Sequence, residues 1–157
     1  SNTSAGAQVR LVDGATAKML MAHMPEKDFN KALNYATRVA RRTKAQYLAE
    51  LKRIRLQDVA VTHGERAVGL TAVAAPIRDA NDEVKYCLTI AGPTARMEPA
   101  TETYMRLVTR AARDISRPLG YVAAANSEGK KGVWLQKPRA DESKGGVFPA
   151  FRPTRDS

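Results

Sequence analysis

The sequence predicts a mixed α/β domain of the α+β kind, an antiparallel sheet with helices packed on it. Three observations predict it. Residues 69–93, GLTAVAAPIRDANDEVKYCLTIAGP, are two runs of small and β-branched residues joined by a polar turn, the pattern of a hairpin. After Glu98-Pro99, Tyr104, Leu107, Val108, Ala111, Ala112 and Ile115 recur at three- and four-residue steps on one helical face. At the front, AQVRLV (7–12) reads as a strand that enters the turn pair Asp13-Gly14 and then an Ala- and Met-rich helical segment, 15–23.

The elements between these follow from local chemistry. Pro25-Glu26 restarts a helix in which Phe29, Leu33, Ala36 and Ala40 form one stripe. Thr43 is placed to cap the next helix, where Tyr47, Leu48, Leu51 and Ile54 repeat at helical spacing and Lys and Arg fill the other positions. DVAVTH (58–63) alternates as a strand does, and the loop GERAVG follows it. The hairpin then runs Gly69 to Ile77, turns at Asp79-Ala80-Asn81-Asp82, and returns from Glu83 to Ala91. Arg117-Pro118-Leu119-Gly120 ends the last helix. Beyond it the composition shifts to Gly, Lys, Ser and Pro, so 121–157 reads as an extended basic arm with Trp134, Phe148 and Phe151 as its anchors.

At 157 residues the chain suits one domain with a real core. No apolar run approaches the roughly 20 residues of a membrane helix, and SNTSAGAQ lacks the basic-then-apolar pattern of a signal peptide, so a cytoplasmic protein without a membrane partner is expected. The absence of an initiator methionine points to a fragment. The single cysteine, Cys87, excludes an internal disulfide and leaves no zinc-ligand spacing, so neither metal nor cofactor is expected.

A net charge of +10 directs attention to nucleic acid or acidic small molecules. Between Arg38 and Arg55 seven basic side chains face one acid, Glu50, and a looser excess including Lys130, Lys131, Lys137, Arg139, Arg152 and Arg155 follows Tyr121. Each run reads first as the solvated face of a helix or arm, and only second as a nucleic-acid contact. Catalytic constellations are absent. His23 and His63 are isolated, GERAVG and GATAKM fit no phosphate-loop pattern, and Cys87 has no histidine near it in sequence. No enzyme is expected.

The hairpin is more informative. Side chains alternate across a strand, so Leu70, Ala72, Ala74 and Pro76 share one face. On the returning strand Cys87, Thr89 and Ala91 share a face, opposite Val84, Tyr86, Leu88 and Ile90. The bulky face should pack on helices. The small face, with a threonine hydroxyl, either leaves a hollow for a ligand or lets a helix approach closely.

Several stretches carry a resemblance: Thr16-Ala17-Lys18 entering a helix, LAELKRIR (48–55), DVAVTH, Glu65 and Gly69 before LTAVAAPIRD, and TIAGPTAR followed by an amphipathic helix ending in ISRPLG (115–120). In order and spacing, from about Val9 to Gly120, the chain resembles the C-terminal effector-binding domain of IclR-type bacterial transcription regulators. The resemblance implies a GAF-like or profilin-like fold for residues 1–120, a pocket for a small organic acid, and assembly as a homo-oligomer, dimer or tetramer. It also implies DNA binding through an N-terminal winged helix-turn-helix domain that these residues lack, together with the opening strands of the effector domain. By itself the chain is then not expected to recognise an operator.

Carried over position by position, the resemblance puts the effector against Ala15 and Thr16, where amides at a helix start would hold its carboxylate. Thr62 comes from the strand before the hairpin, Leu70 and Ala72 from the first hairpin strand, and Thr89 and Ala91 from the second. The sequence departs from the family where Thr62 replaces a frequent acid, Ala91 a common serine, and Asp58-Val59 a Gly-Tyr pair. With fewer polar groups, the ligand should be less polar, or held more weakly, than a short hydroxy- or keto-acid. The rival reading is a basic nucleic-acid-binding module using Arg38 to Arg55 and the C-terminal arm.

Overall fold

The computed structural model describes residues 13–40 and 42–122. The strand expected at 7–12 lies outside these, as do Arg41 and nearly all of the arm expected at 121–157. The described chain is a three-stranded antiparallel sheet with helices on both faces.

Helix α1 (Ala15–Ala22) follows Gly14, and α2 (Glu26–Ala40) buries Phe29, Leu33 and Ala36 as its spacing requires. Helix α3 (Lys44–Gln57) begins with a reciprocal cap: the Gln46 amide N–H donates to the Thr43 hydroxyl, and the Thr43 N–H donates to the Gln46 side chain. Its buried side chains are Tyr47, Leu51 and Ile54. The helix ends at Asp58, which holds the left-handed conformation (φ 50°) where the resemblance places a glycine. The strand expected from residue 58 therefore starts later.

The sheet order is β1 (Ala60–His63), β2 (Leu70–Arg78), β3 (Val84–Pro93). Pro76 is tolerated in the central strand because β1 has ended by then, its last partner being Ala74, and β2 has only β3 beside it. The β2–β3 turn closes on the Asp79 carboxylate, which accepts the Asn81 and Glu83 amides at 2.9 and 3.0 Å. Strand β3 does not stop at Ala91 but pairs through Gly92 and Pro93, opposite Thr71 and Leu70. A short helix, α4 (Thr94–Met97), was not legible in the sequence. It leads through a single 3₁₀ turn to α5 (Thr101–Ser116).

The bulky sheet face does pack on a helix. Val73 and Ala75 join Val59, Met97, Val108 and Ala112 in one buried cluster, flanked by Leu88 and Ile90. Each fully buried valine in such a cluster contributes roughly 1.5–3 kcal/mol. The stripe that α5 presents differs from the expected one. Val108, Ala112 and Ser116 are buried, whereas Leu107 is 56% and Ile115 42% exposed. The apolar positions span a wider arc than the sheet covers, and Ser116 replaces Ile115 at the interface because its hydroxyl accepts the Arg78 amide N–H at 2.9 Å and donates to the Ala112 carbonyl at 2.7 Å. Helix α1 covers the other face and is itself backed by α3. Among the described residues, no helix is long and apolar enough to cross a membrane.

Candidate functional site

The strand register gathers the small-face residues. Thr62, Ala72 and Ala91 are cross-strand partners in one row, Ala60, Ala74 and Thr89 form the next, and Leu70 lies opposite Pro93. In an antiparallel sheet directly opposed residues share a face, so five of the seven expected positions lie side by side. The other two, Ala15 and Thr16, come from α1, which rests on β2 and β3. The helix and the sheet meet at a hydroxyl pair: Thr16 Oγ1 lies 2.8 Å from Thr89 Oγ1. Cys87 Sγ is 3.7 Å from the same Thr89 oxygen. Burial holds the Cys87 thiol above its ordinary pKa, so it is a neutral neighbour rather than a thiolate.

Exposure grades across this face. Ala60, Ala74, Thr62 and Ala15 are buried, Thr16, Leu70, Ala72 and Thr89 are half-buried, and Ala91 is exposed. Close helix packing thus covers Ala60, Ala74 and Thr62, and exposure rises across the rows through Ala72 and Thr89 to Ala91.

At its N-terminus α1 is already engaged by a carboxylate of this chain. Gly14 takes φ 94°, available to glycine without strain, and its N–H donates to Glu65 Oε2 at 3.2 Å. The other Glu65 oxygen is 2.5 Å from Lys18 Nζ, and Lys18 also meets Glu50 Oε1 at 2.7 Å. Arg42 closes the group, 2.6 Å from Glu50 and 3.5 Å from Glu65. Lys18 is only 1% exposed, so its ammonium is tolerated because two carboxylates face it. Sequence reasoning missed this cluster. The usable signal was a lysine inside an Ala/Met-rich helix, which has to find partners once that helix is buried.

A second cluster sits at the other end of α1. Arg55 Nη1 donates to the Ala22 carbonyl at 2.9 Å, satisfying a helix-end acceptor with a cation. His23 Nε2 is buried 3.5 Å from Asp58 Oδ1, beyond a good hydrogen bond, and Arg78 Nη2 is 2.7 Å from that same oxygen. Burial lowers the His23 pKa. Burial alone would raise Asp58, yet His23 and Arg78 hold its carboxyl below the ordinary aspartate value. His63, at the end of β1, bonds through Nδ1 to the Thr71 hydroxyl at 2.9 Å, a structural role.

The basic run weighed above is partly committed to these ties. Arg42 and Arg55 are engaged as described, while Arg38 and Arg53 are exposed. An open groove of about 580 Å³ lies on the far side of the molecule, between α5 and Val59. Among the described residues, no group of three His, Cys, Asp or Glu side chains could hold a metal ion.

The described residues are thus an antiparallel sheet sandwiched between helices, with a row of small residues along the face that α1 covers. Comparison with known proteins gives the family. Residues 1–117 match the family model described as bacterial transcriptional regulator IclR, C-terminal. The chain belongs to the IclR family of transcriptional regulators, a family of regulators rather than enzymes, and the matched residues are those of its C-terminal domain. It is 31% identical over 118 residues to the HTH-type transcriptional regulator BhcR of Paracoccus denitrificans, a match covering 71% of this chain and 42% of that protein. Among solved structures it resembles HmgR of Pseudomonas aeruginosa (TM-score 0.68, 25% identity, 77% of this chain and 49% of that one). It also resembles an IclR-family regulator from Rhodococcus sp. (TM-score 0.63, 26% identity, 75% and 46%). The chain thus spans less than half of each of these relatives.

Proposed function

We propose that residues 1–120 sense a small organic acid and take part in oligomerisation for a cytoplasmic IclR-type regulator, and so modulate DNA binding by a helix-turn-helix domain outside this chain. The observation that carries the reading is the half-buried Thr16–Thr89 hydroxyl pair where α1 meets the small face of the sheet. Hydroxyls that bond each other there can rotate to meet a ligand oxygen, and Ala72, Ala91 and Leu70 supply apolar floor. The scarcity of polar groups on that floor favours an aromatic or aliphatic carboxylate over a hydroxy- or keto-acid. A ligand carboxylate near the start of α1 meets the field of Glu65. Binding there acts on the Lys18 cluster, and through it on α3 and the β1–β2 loop. That linkage gives the ligand unequal affinity for two arrangements of α1, the requirement for a population shift. The rival nucleic-acid reading through Arg38 to Arg55 is weaker, because Arg42 and Arg55 already have internal partners.

The test is thermal unfolding with a panel of aliphatic and aromatic carboxylates. At least one acid should raise Tm in a concentration-dependent way, and Thr89→Leu should abolish that rise while the far-UV spectrum is retained. A panel that leaves Tm unmoved overturns the reading.

A further inference from the structure

One surface of the domain has no part in the sensing site and carries an unusual concentration of charge. Arg106, Arg110, Arg113 and Arg117 fall at successive steps of four, three and four residues, so they line one side of α5 and its exit over about 16 Å. All four are exposed, and all four border the open groove whose apolar base includes Val59 and Met105. Arg117 is paired with Asp114, and Arg106 has only a weak 3.3 Å bond to the Thr103 hydroxyl. Among the described residues, no carboxylate lies within ion-pairing distance of Arg106, Arg110 or Arg113.

Helix stability does not account for the stripe. Cations near a helix C-terminus complement its dipole, which explains Arg113 and Arg117. Arg106 and Arg110 lie mid-helix, and like charges at these spacings repel. A second copy of a chain with net charge +10 is a poor electrostatic partner for this face. A row of planar guanidinium groups matches an extended row of phosphates.

We infer that the arginine stripe of α5 contacts the phosphate backbone of duplex DNA without reading its sequence. It would add an electrostatic hold to whatever the separate DNA-reading domain supplies. The inference is independent of the effector site, because it uses the opposite face of the sheet.

The test uses the whole 157-residue chain and a fluorescent duplex of arbitrary sequence, with affinity followed by anisotropy across a salt series. Each phosphate contact contributes about 0.9 to the slope of log affinity against log salt. The double variant Arg110→Ala, Arg113→Ala should therefore flatten that slope by about 1.8 at unchanged far-UV signal. Arg110→Lys with Arg113→Lys should keep it, since phosphate binding here needs charge. A slope unchanged in the alanine variant overturns the inference, as does a lysine variant that loses as much. Poly-glutamate binding that depends on these arginines, with an unaltered DNA slope, reassigns the surface to an acidic protein and likewise overturns it. Thr89→Leu should leave the DNA slope alone, which keeps failure of this inference distinct from failure of the sensor reading.

Discussion

The hydroxyls of Thr16 and Thr89, 73 positions apart in the chain, meet at 2.8 Å and fasten α1 to the outer strand of the sheet. Thr→Val keeps shape and removes the bond, so each single variant should lose about 0.5–1.5 kcal/mol in urea unfolding. The second substitution should cost less once the first is present, because the partner is already gone. Additive losses would show that the two hydroxyls do not act on each other.

Lys18 should be the most sensitive charged position. Lys18→Met leaves Glu50 and Glu65 facing each other in a half-buried site without their shared cation, with Arg42 their remaining partner. A loss of about 3–5 kcal/mol is expected, against a smaller one for Glu50→Gln, which leaves Lys18 its bond to Glu65. Equal losses in equilibrium denaturation would remove Lys18 from the centre of the group.

Stability should fall in mild acid because of His23. Burial depresses its pKa below 6.5, so the unfolded chain binds the proton more readily than the folded one. The contribution is complete above about pH 6.5 and is lost as pH falls through that value toward the folded pKa, by at most about 1.4 kcal/mol per pH unit. Asp58, Arg78 and Arg55 face the ring; the Asp58 carboxyl, also depressed, adds its own loss only below about 3.8. Tm followed from pH 7.5 to 5 should drop in the native chain and stay flatter in His23→Gln. Parallel curves would exclude His23 as the source.

Gly120 should resist substitution for two separable reasons. Its φ of 90° is strained for any other residue, and an added Cβ would lie 2.9 Å from Ala80 Cβ. Gly120→Ala should destabilise by about 1–3 kcal/mol, and a second change, Ala80→Gly, should recover the steric part only. Full recovery would show that the backbone strain is negligible.

The hairpin, its two unlike faces, the Thr43 cap and the stripe of α2 were legible in the sequence because each is a local pattern with one physical cause. The face that α5 buries was not. Leu107 and Ile115 are more apolar than Ser116, but only a three-dimensional partner, the Arg78 amide, makes serine the better interface residue. Asp58 misled the start of β1 for a similar reason, since an aspartate in the left-handed region looks like the first residue of a strand when only alternation is read. The gathering of Thr62, Leu70, Ala72, Thr89 and Ala91 on one face followed from period-two alternation plus the family resemblance. The Glu65 carboxylate at the start of α1 did not, because nothing local ties residue 65 to residue 14.

Strand β3 lies at the margin of the sheet, and among the described residues it is hydrogen-bonded on one side only. Its ends carry modest protection, a lysine at the irregular step near Arg78 and a proline at residue 93, but the stretch from Tyr86 to Ala91 has neither. Tyr86, 70% exposed, adds an apolar handle there. A charged substitution at Tyr86 is therefore the simplest change with which to test whether that margin takes part in strand-to-strand self-association in concentrated solution.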